Sequence, residues 1–152
     1  MPIHNSELAD GFNMLADLLE IEGANAFRIR AYRNAARTIE NYSQEFTDLV
    51  EEETDLTSIQ GIGKDLAEKI KQFIHTGRFE ALEKLRSSLP DGITDLLKIQ
   101  GLGPKRVKTL YQDLGIGDLA GLGKAAREGK ISALPGLGSK MEKQILEAVE
   151  KK

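Results

Sequence analysis

Cysteine and tryptophan are both absent from this 152-residue chain. Without cysteine there is neither a disulfide framework nor a thiolate metal site, which fits a reducing intracellular compartment. Histidine is scarce, and His4 and His75 stand apart with no ligand partner at i+4, so no transition-metal site is assigned. Long apolar runs are missing, and the opening Met-Pro-Ile-His-Asn-Ser-Glu-Leu lacks a charged segment followed by an apolar one. Neither a membrane span nor a secretory signal is expected. No segment sustains the two-residue alternation of a strand, so the expected fold class is all-α. Nor does any Gly-Lys-[Ser/Thr] end a suitably spaced loop, which excludes a nucleotide-binding P-loop; no Rossmann strand precedes the glycines either. What remains is enough chain for one or two small helical domains.

The formal charge of −3 argues against a wholesale nucleic-acid binder, but the average conceals an asymmetry. Residues 1–55 hold 4 Lys/Arg and 12 Asp/Glu, a balance of −8, whereas residues 56–152 hold 17 and 12, a balance of +5. Sign separation of this kind speaks to partners and not to fold.

Asn5 with Ser6-Glu7 can cap a first helix, with Leu8, Phe12, Leu15 and Leu19 as its apolar stripe and Gly23 at its left-handed C-cap. A second helix is expected from near Asn25 to about Tyr42, with Ala31, Ala35 and Ile39 recurring at helical spacing and Arg30, Arg33 and Arg37 at other angles. A short helix carries Phe46, Leu49 and Val50 into the acidic run Glu51-Glu52-Glu53. Further on, Arg78 to Leu89 reads as a helix with Phe79, Leu82 and Leu85 inward, broken by Pro90-Asp91-Gly92. Asp118 to Glu128 reads as helical despite Gly121 and Gly123.

From residue 56 the chain repeats itself. Leu56 to Ile70 contains Ile-Gln-Gly-Ile-Gly-Lys, Leu96 to Leu110 contains Ile-Gln-Gly-Leu-Gly-Pro-Lys-Arg, and Ile131 to Ile145 contains Leu-Pro-Gly-Leu-Gly-Ser-Lys. Their first glycines, Gly61, Gly101 and Gly136, lie 40 and 35 residues apart, room for a helix or two between copies. Glycines at both corners, the second being Gly63, Gly103 and Gly138, allow positive φ and let an outside group approach the backbone. The amides of the second glycine and the following residues then open a helix N-terminus, where unpaired N–H groups and the helix dipole favour an anion. Lys64, Lys105, Arg106 and Lys140 stand beside those amides. One such copy is equally well a tight interhelical turn. Three, each with a lysine close behind, are hard to explain by packing alone, and phosphate is the expected ligand. Contacts of this type position a protein without carrying sequence information and make affinity salt-dependent. No helix is lined for base edges, so sequence-independent binding follows.

These residues resemble the helix-hairpin-helix motif, and the order of copies is similar to the amino-terminal part of the family X DNA polymerases, the family of DNA polymerase beta. The likeness runs over essentially the whole chain. Ile59 to Ile70, followed by Phe73 to Leu85, resembles the family's small lyase domain, and Ala31-Tyr32-Arg33-Asn34-Ala35-Ala36 an earlier helix of it. Leu96 to Lys152 resembles its fingers subdomain. The resemblance divides the chain into residues 1–90, a DNA-end-binding, lyase-like domain with the first hairpin, and residues 91–152, a fingers-like domain with two. It implies binding to gapped, nicked or 5′-phosphorylated DNA in base-excision or gap repair, placing the protein in the cytoplasm at the nucleoid. It also implies a 5′-deoxyribose-phosphate lyase whose Schiff-base nucleophile is Lys69, with Tyr32 as active-site tyrosine and Arg28 and Arg33 among the DNA-binding residues. A free amine is needed for that attack, and Lys64, Arg28 or Arg33 are neighbours able to favour it. Asp65 and Phe27 depart from the family, standing where it has a phosphate-binding lysine and a histidine that stacks on DNA.

No cofactor is required by these readings. Family hairpins hold Na⁺ or K⁺ through main-chain carbonyls, which maps here to Thr57, Ile59 and Ile62, to Leu97, Ile99 and Leu102, and to Ser132, Leu134 and Leu137, donors suited to a hard cation. The palm carboxylates and the histidine-rich phosphoesterase region of the family are not found in these residues, so this chain by itself is not expected to polymerise nucleotides. Two other readings stay open: a non-catalytic hairpin protein that binds branched or single-stranded DNA, and a scaffold in which the hairpins are only turns.

Overall fold

The computed structural model describes residues 2–151. These residues form α1 (Asn5–Glu22), α2 (Ala26–Glu40), α3 (Phe46–Glu51), a 3₁₀ turn (Leu56–Ser58), α4 (Lys64–Thr76), α5 (Glu80–Ser88), α6 (Ile93–Leu97), α7 (Pro104–Leu114), α8 (Leu119–Arg127) and α9 (Ser139–Glu150), with no strand among the described residues. The fold is all-α, as the patterning requires. The chain forms two units: one of the residues up to Leu19 with Ala24–Leu85, the other of Glu20–Gly23 with the chain from Arg86 onward.

In the first unit, α1 buries Leu8, Phe12, Leu15 and Leu19 as its spacing predicts, and Ala9 and Ala16 beside them. Gly23 ends the helix at φ +86, with the Ala24 amide donating to Leu19 O. The inward face of α2 keeps Ala35 and Ile39 as expected and departs from the expectation at Ala31. Ala31 is exposed, and the buried positions are Tyr32, Ala35, Ala36 and Ile39. The i, i+3, i+4, i+7 set beginning at Tyr32 offers the core an aromatic ring that Ala31 cannot, and that ring stacks at 6.0 Å from Phe12. Phe79, just before α5, closes the cluster at 4.9 Å from Phe12 and 4.4 Å from Phe73. Leu82 and Leu85 only half-bury.

Asn5 is also used differently. It lies inside α1, and its side chain reaches across the chain: Oδ1 accepts from Phe46 N at 2.8 Å and Nδ2 donates to Gln44 O at 2.8 Å. It thereby caps α3 in place of its own helix. Glu45 completes the clasp, accepting from Asn5 N at 3.0 Å and pairing with His4 Nδ1 at 2.9 Å.

The second unit packs two helix pairs around Ile93, Leu96, Val107, Leu110, Leu122, Ile131 and Ile145. Gly121 and Gly123 lie inside α8, as the lysine and alanines after them imply. Gly123 is buried, and a Cβ there would come within 3.0 Å of Val149, so the residue serves close helix packing and not a hairpin.

The His4–Glu45 clasp predicts a pH-dependent increment of stability. The hydrogen bond that His4 donates to Glu45 raises the His4 pKa above its ordinary 6.5, so its contribution is complete below 6.5 and is lost as pH rises through the raised value. The bonds from His4 and from the Asn5 amide lower the Glu45 pKa below 4.5, so its contribution is complete above 4.5 and is lost as pH falls through the lowered value. Melting temperatures of His4→Ala and the parent protein are expected to differ most between about pH 4.5 and 6.5, and to converge above that window and in high salt. A difference that is flat with pH would show that the clasp carries no charge.

Candidate nucleic-acid interface

Each repeat closes by two consecutive turns. The amides of Ile59, Ile99 and Leu134 donate to Leu56, Leu96 and Ile131 O at 3.1, 3.2 and 3.0 Å, and those of Ile62, Leu102 and Leu137 donate to Ile59, Ile99 and Leu134 O at 3.0, 3.0 and 3.2 Å. The second turn takes its first glycine into the left-handed region: φ is +93 at Gly61, +91 at Gly101 and +76 at Gly136. The residue between the glycines, Ile62, Leu102 or Leu137, is buried and pins the corner to the core. Burial of such a side chain contributes about 1.5–3 kcal/mol.

The second glycine behaves otherwise, which corrects the expectation of positive φ at both corners. Gly63, Gly103 and Gly138 have φ/ψ of −87/−178, −86/177 and −136/−176, extended backbone open to any residue. They are the N-caps of α4, α7 and α9, and no side chain caps these helices. Elsewhere the chain does cap: Asn25 accepts from Phe27 N, Asp55 from Thr57 N and Asp118 from Gly121 N. The first amides of the three hairpin helices to find a carbonyl are Ala67, Val107 and Glu142, bonded to Gly63, Gly103 and Gly138 O. Among the described residues the earlier amides have no acceptor, apart from Pro104, which has no N–H to give. A Cβ built at Gly63, Gly103 or Gly138 meets nothing within 4 Å. Each helix therefore opens on bare N–H groups behind an unobstructed backbone, the geometry of an anion cradle.

The flanking cations are not equivalent. Lys64, Lys105 and Lys140 are exposed. Arg106 folds back, its Nη1 donating to Gly101 O at 2.7 Å. In the third copy Glu142 accepts from Ser132 N at 2.8 Å, the job that Asp55 does for Thr57 N in the first. Two contacts escaped sequence reasoning because they join distant segments: a Cβ on Gly101 would lie 3.1 Å from Met141 Cε, and one on Gly61 would lie 3.4 Å from Thr38 Oγ1. A groove of about 710 Å³ beside the second hairpin, lined by Lys98, Gln100, Gly101, Gln144, Glu147 and Lys151, escaped it too.

Around Lys69 the structure brings together Arg28, Tyr32 and Lys69. Arg28 Cζ and Lys69 Nζ each lie 6.0 Å from the Tyr32 ring centroid, and Tyr32 itself is buried. Arg33 is not part of this group but pairs with Asp17 at 2.8 Å. Lys69 Nζ donates to both oxygens of Asp65, at 2.8 and 2.9 Å. The adjoining groove, about 300 Å³, is lined by Asp65, Glu68, Lys69, Gln72, Glu80 and Lys84 among others, so three carboxylates face two amines.

Comparison with known proteins agrees with this geometry. The profile described as "Helix-hairpin-helix domain" matches residues 3–79, and "SAM-like Helix-hairpin-helix tandem" matches residues 93–151. The chain belongs to the helix-hairpin-helix family. It is also 33% identical over 147 residues to the "DNA polymerase/3'-5' exonuclease PolX" of Bacillus subtilis (strain 168), a match covering 97% of this chain and 25% of that protein. The helix-hairpin-helix chain thus spans about a quarter of the length of that relative, in its amino-terminal part. Membership and likeness together support DNA binding in a polymerase-related setting. No helix among the described residues is long and apolar enough to cross a membrane.

The two glycines of each helix-hairpin-helix copy separate by stability. Alanine at Gly61, Gly101 or Gly136 forces a Cβ into left-handed backbone and is expected to destabilise by about 1–2 kcal/mol. At Gly101 the added Cβ also meets Met141 Cε, the end of a side chain that can shift aside, so the left-handed backbone sets the cost at all three. Serine at Gly63, Gly103 or Gly138 supplies a good N-cap on compatible backbone, so stability holds or rises by a few tenths of a kcal/mol. Urea unfolding of the six variants checks this, and equal losses in both sets would refute it.

Proposed function

We propose that the chain binds gapped, nicked or 5′-phosphorylated DNA through the bare amides of its three hairpins, independently of base sequence, as a DNA-repair module. The observation that carries this reading is the second glycine of each copy. Neither its backbone conformation nor its surroundings requires glycine, three times over. A requirement that the folded chain does not impose is imposed by what comes to it, and a phosphate seated on the amides needs the missing Cβ. Lys64, Lys105 and Lys140 add charge to the same cradles. A monovalent cation fits the reading chemically: the carbonyls of Ile59, Ile99 and Leu134 each accept one turn hydrogen bond and keep a second lone pair. Their partners in each set would be Thr57 and Ile62, Leu97 and Leu102, and Ser132 and Leu137.

Catalysis at Lys69 is a separate matter. Schiff-base attack needs a free amine, and here the amine is engaged by both oxygens of Asp65. That contact favours the non-catalytic reading, DNA binding without lyase chemistry, for the resting protein. A lyase step requires Asp65 to let go, with Tyr32 and Arg28 then beside the freed amine.

Anisotropy titration against gapped duplexes tests the binding. Gly63→Ser, Gly103→Ser and Gly138→Ser are each expected to lose roughly tenfold or more in affinity, since a hydrogen bond to a charged group contributes about 1.5–3 kcal/mol. Affinity should fall with salt and be alike across unrelated sequences. Full affinity in the stable serine variants would remove DNA from the hairpins. For the lyase, borohydride trapping on a 5′-deoxyribose-phosphate end should be weak in the parent, stronger in Asp65→Asn and lost in Lys69→Ala. An Asp65→Asn protein that traps no better than Lys69→Ala ends the catalytic reading.

A further inference from the structure

The three hairpins share a backbone but not the charge set upon it. In the first, Asp55 accepts from the Thr57 amide at 3.0 Å and from the Thr57 hydroxyl, and these bonds lower its carboxyl below the ordinary 3.8. In the third, Glu142 accepts from the Ser132 amide at 2.8 Å. Thr57 and Ser132 open the carbonyl sets of their hairpins, so each of those sets has a carboxylate bonded to one of its members. The second set has none. It opens on Leu97, the last residue of α6, and Asp95, which precedes Leu97 as Asp55 precedes Thr57, lies 3.7 Å from Lys98 Nζ.

Arg106 brings the opposite sign to the second hairpin. It stands three residues after Gly103, where the other copies have Leu66 after Gly63 and Met141 after Gly138. Leucine and methionine have no N–H to give. Arg106 is exposed, yet its Nη1 turns back to donate to Gly101 O at 2.7 Å, a charge-assisted bond at the corner of the hairpin. Gly101 is next to Leu102 and two residues from Ile99, whose carbonyls belong to the second set. A monovalent ion on those carbonyls would sit close to a fixed guanidinium, and like charges so near repel. The adjoining groove does not reverse the sign, since Lys98 and Lys151 line it together with Glu147. The second carbonyl set therefore does not suit an added cation, whereas the first and third have a carboxylate to balance one.

We infer that Arg106 is the resident cation of the second hairpin, its guanidinium doing there what a Na⁺ or K⁺ ion does at the first and third. The inference rests on the reading that the hairpins seat phosphates, and it narrows the monovalent ion from three hairpins to two. A guanidinium tethered by the chain is present in any salt, so the second seat works without an ion. That seat also has the greater need of a fixed charge. Pro104 opens α7 and has no N–H, which leaves this helix one bare amide short of the other two.

The test compares K⁺ with tetramethylammonium, a cation too large for a carbonyl cage, at one ionic strength, using the full chain and a gapped duplex. The double variant Gly63→Ser/Gly138→Ser keeps only the second seat, and its affinity should be the same in the two salts. Gly103→Ser keeps the first and third, and should lose roughly tenfold when tetramethylammonium replaces K⁺. Adding Arg106→Gln to the double variant should cost roughly tenfold in tetramethylammonium and be largely restored by K⁺, which can then enter the second set. A loss that is equal in both salts marks Arg106 as an ordinary phosphate contact or a brace, and overturns the inference. Crystals soaked in a thallous salt locate the ions independently of DNA affinity. Anomalous peaks are expected at the first and third hairpins of the parent, with one at the second only in Arg106→Gln. A peak at the parent's second hairpin, or none at any hairpin in either protein, overturns the inference. Full affinity in all the serine variants would remove phosphate from the hairpins, and the thallium peaks would still decide the role of Arg106.

Discussion

The hydrogen bond from Ile62 N to Ile59 O, repeated from Leu102 to Ile99 and from Leu137 to Leu134, sets the rest of the structure. It closes around a residue at positive φ, which only glycine adopts without strain. Once closed, it turns Ile62, Leu102 or Leu137 into the core and starts a helix on the next residue but one. The helix then begins at the surface, at a position where no side chain turns back to cap it. Local turn chemistry, burial of one aliphatic residue and presentation of bare amides are thus one event. The first glycine serves the turn, and the second, two residues on, leaves the amides uncovered.

Backbone donors also explain how an acidic chain binds an acid. The net charge is −3, but amides need no lysine to bind phosphate. Carboxylates are spent internally where they would repel: Asp17 on Arg33, Asp65 on Lys69. Cations are spent internally as well, since Arg106 satisfies Gly101 O. What faces outward at the hairpins is Lys64, Lys105 and Lys140, and on α2 Arg30 and Arg37. The distribution, not the sum, decides the partner.

The hairpins were legible in the sequence because everything that makes them is local: two glycines, one apolar residue between them and a helix behind. The all-α class was legible for the same reason. On α2 the spacing placed Ala35 and Ile39 correctly but not Ala31, because position 31 fits a helical stripe with them as well as Tyr32 does, and only the Phe12 ring across the core decides between the two. Asn5 carries an N-cap signature, but its amide is claimed by residues 44–46, which no local rule anticipates. The Thr38–Gly61 and Met141–Gly101 approaches join segments far apart in the chain. Lys69 could be placed by resemblance. Its hold on Asp65 is an i, i+4 pair visible in the spacing, yet the rotamers that make it bidentate are not.

The three cradles differ in ways that bear on each other. The second has no acid in its first helical turn, and the third has Glu142, which is turned inward to Ser132 N. The first has Asp65 among its bare amides, a carboxylate beside the proposed phosphate seat. Lys69 offsets that charge from one turn along. On the proposed reading, the contact that restrains the amine is the same one that would keep the first cradle open to phosphate. On the same reading, a strand that drew Lys69 away would expose Asp65 to its phosphates, and so would loosen its hold at that hairpin as the amine came free. Binding and any chemistry at Lys69 are in this way set against each other within four residues of one helix.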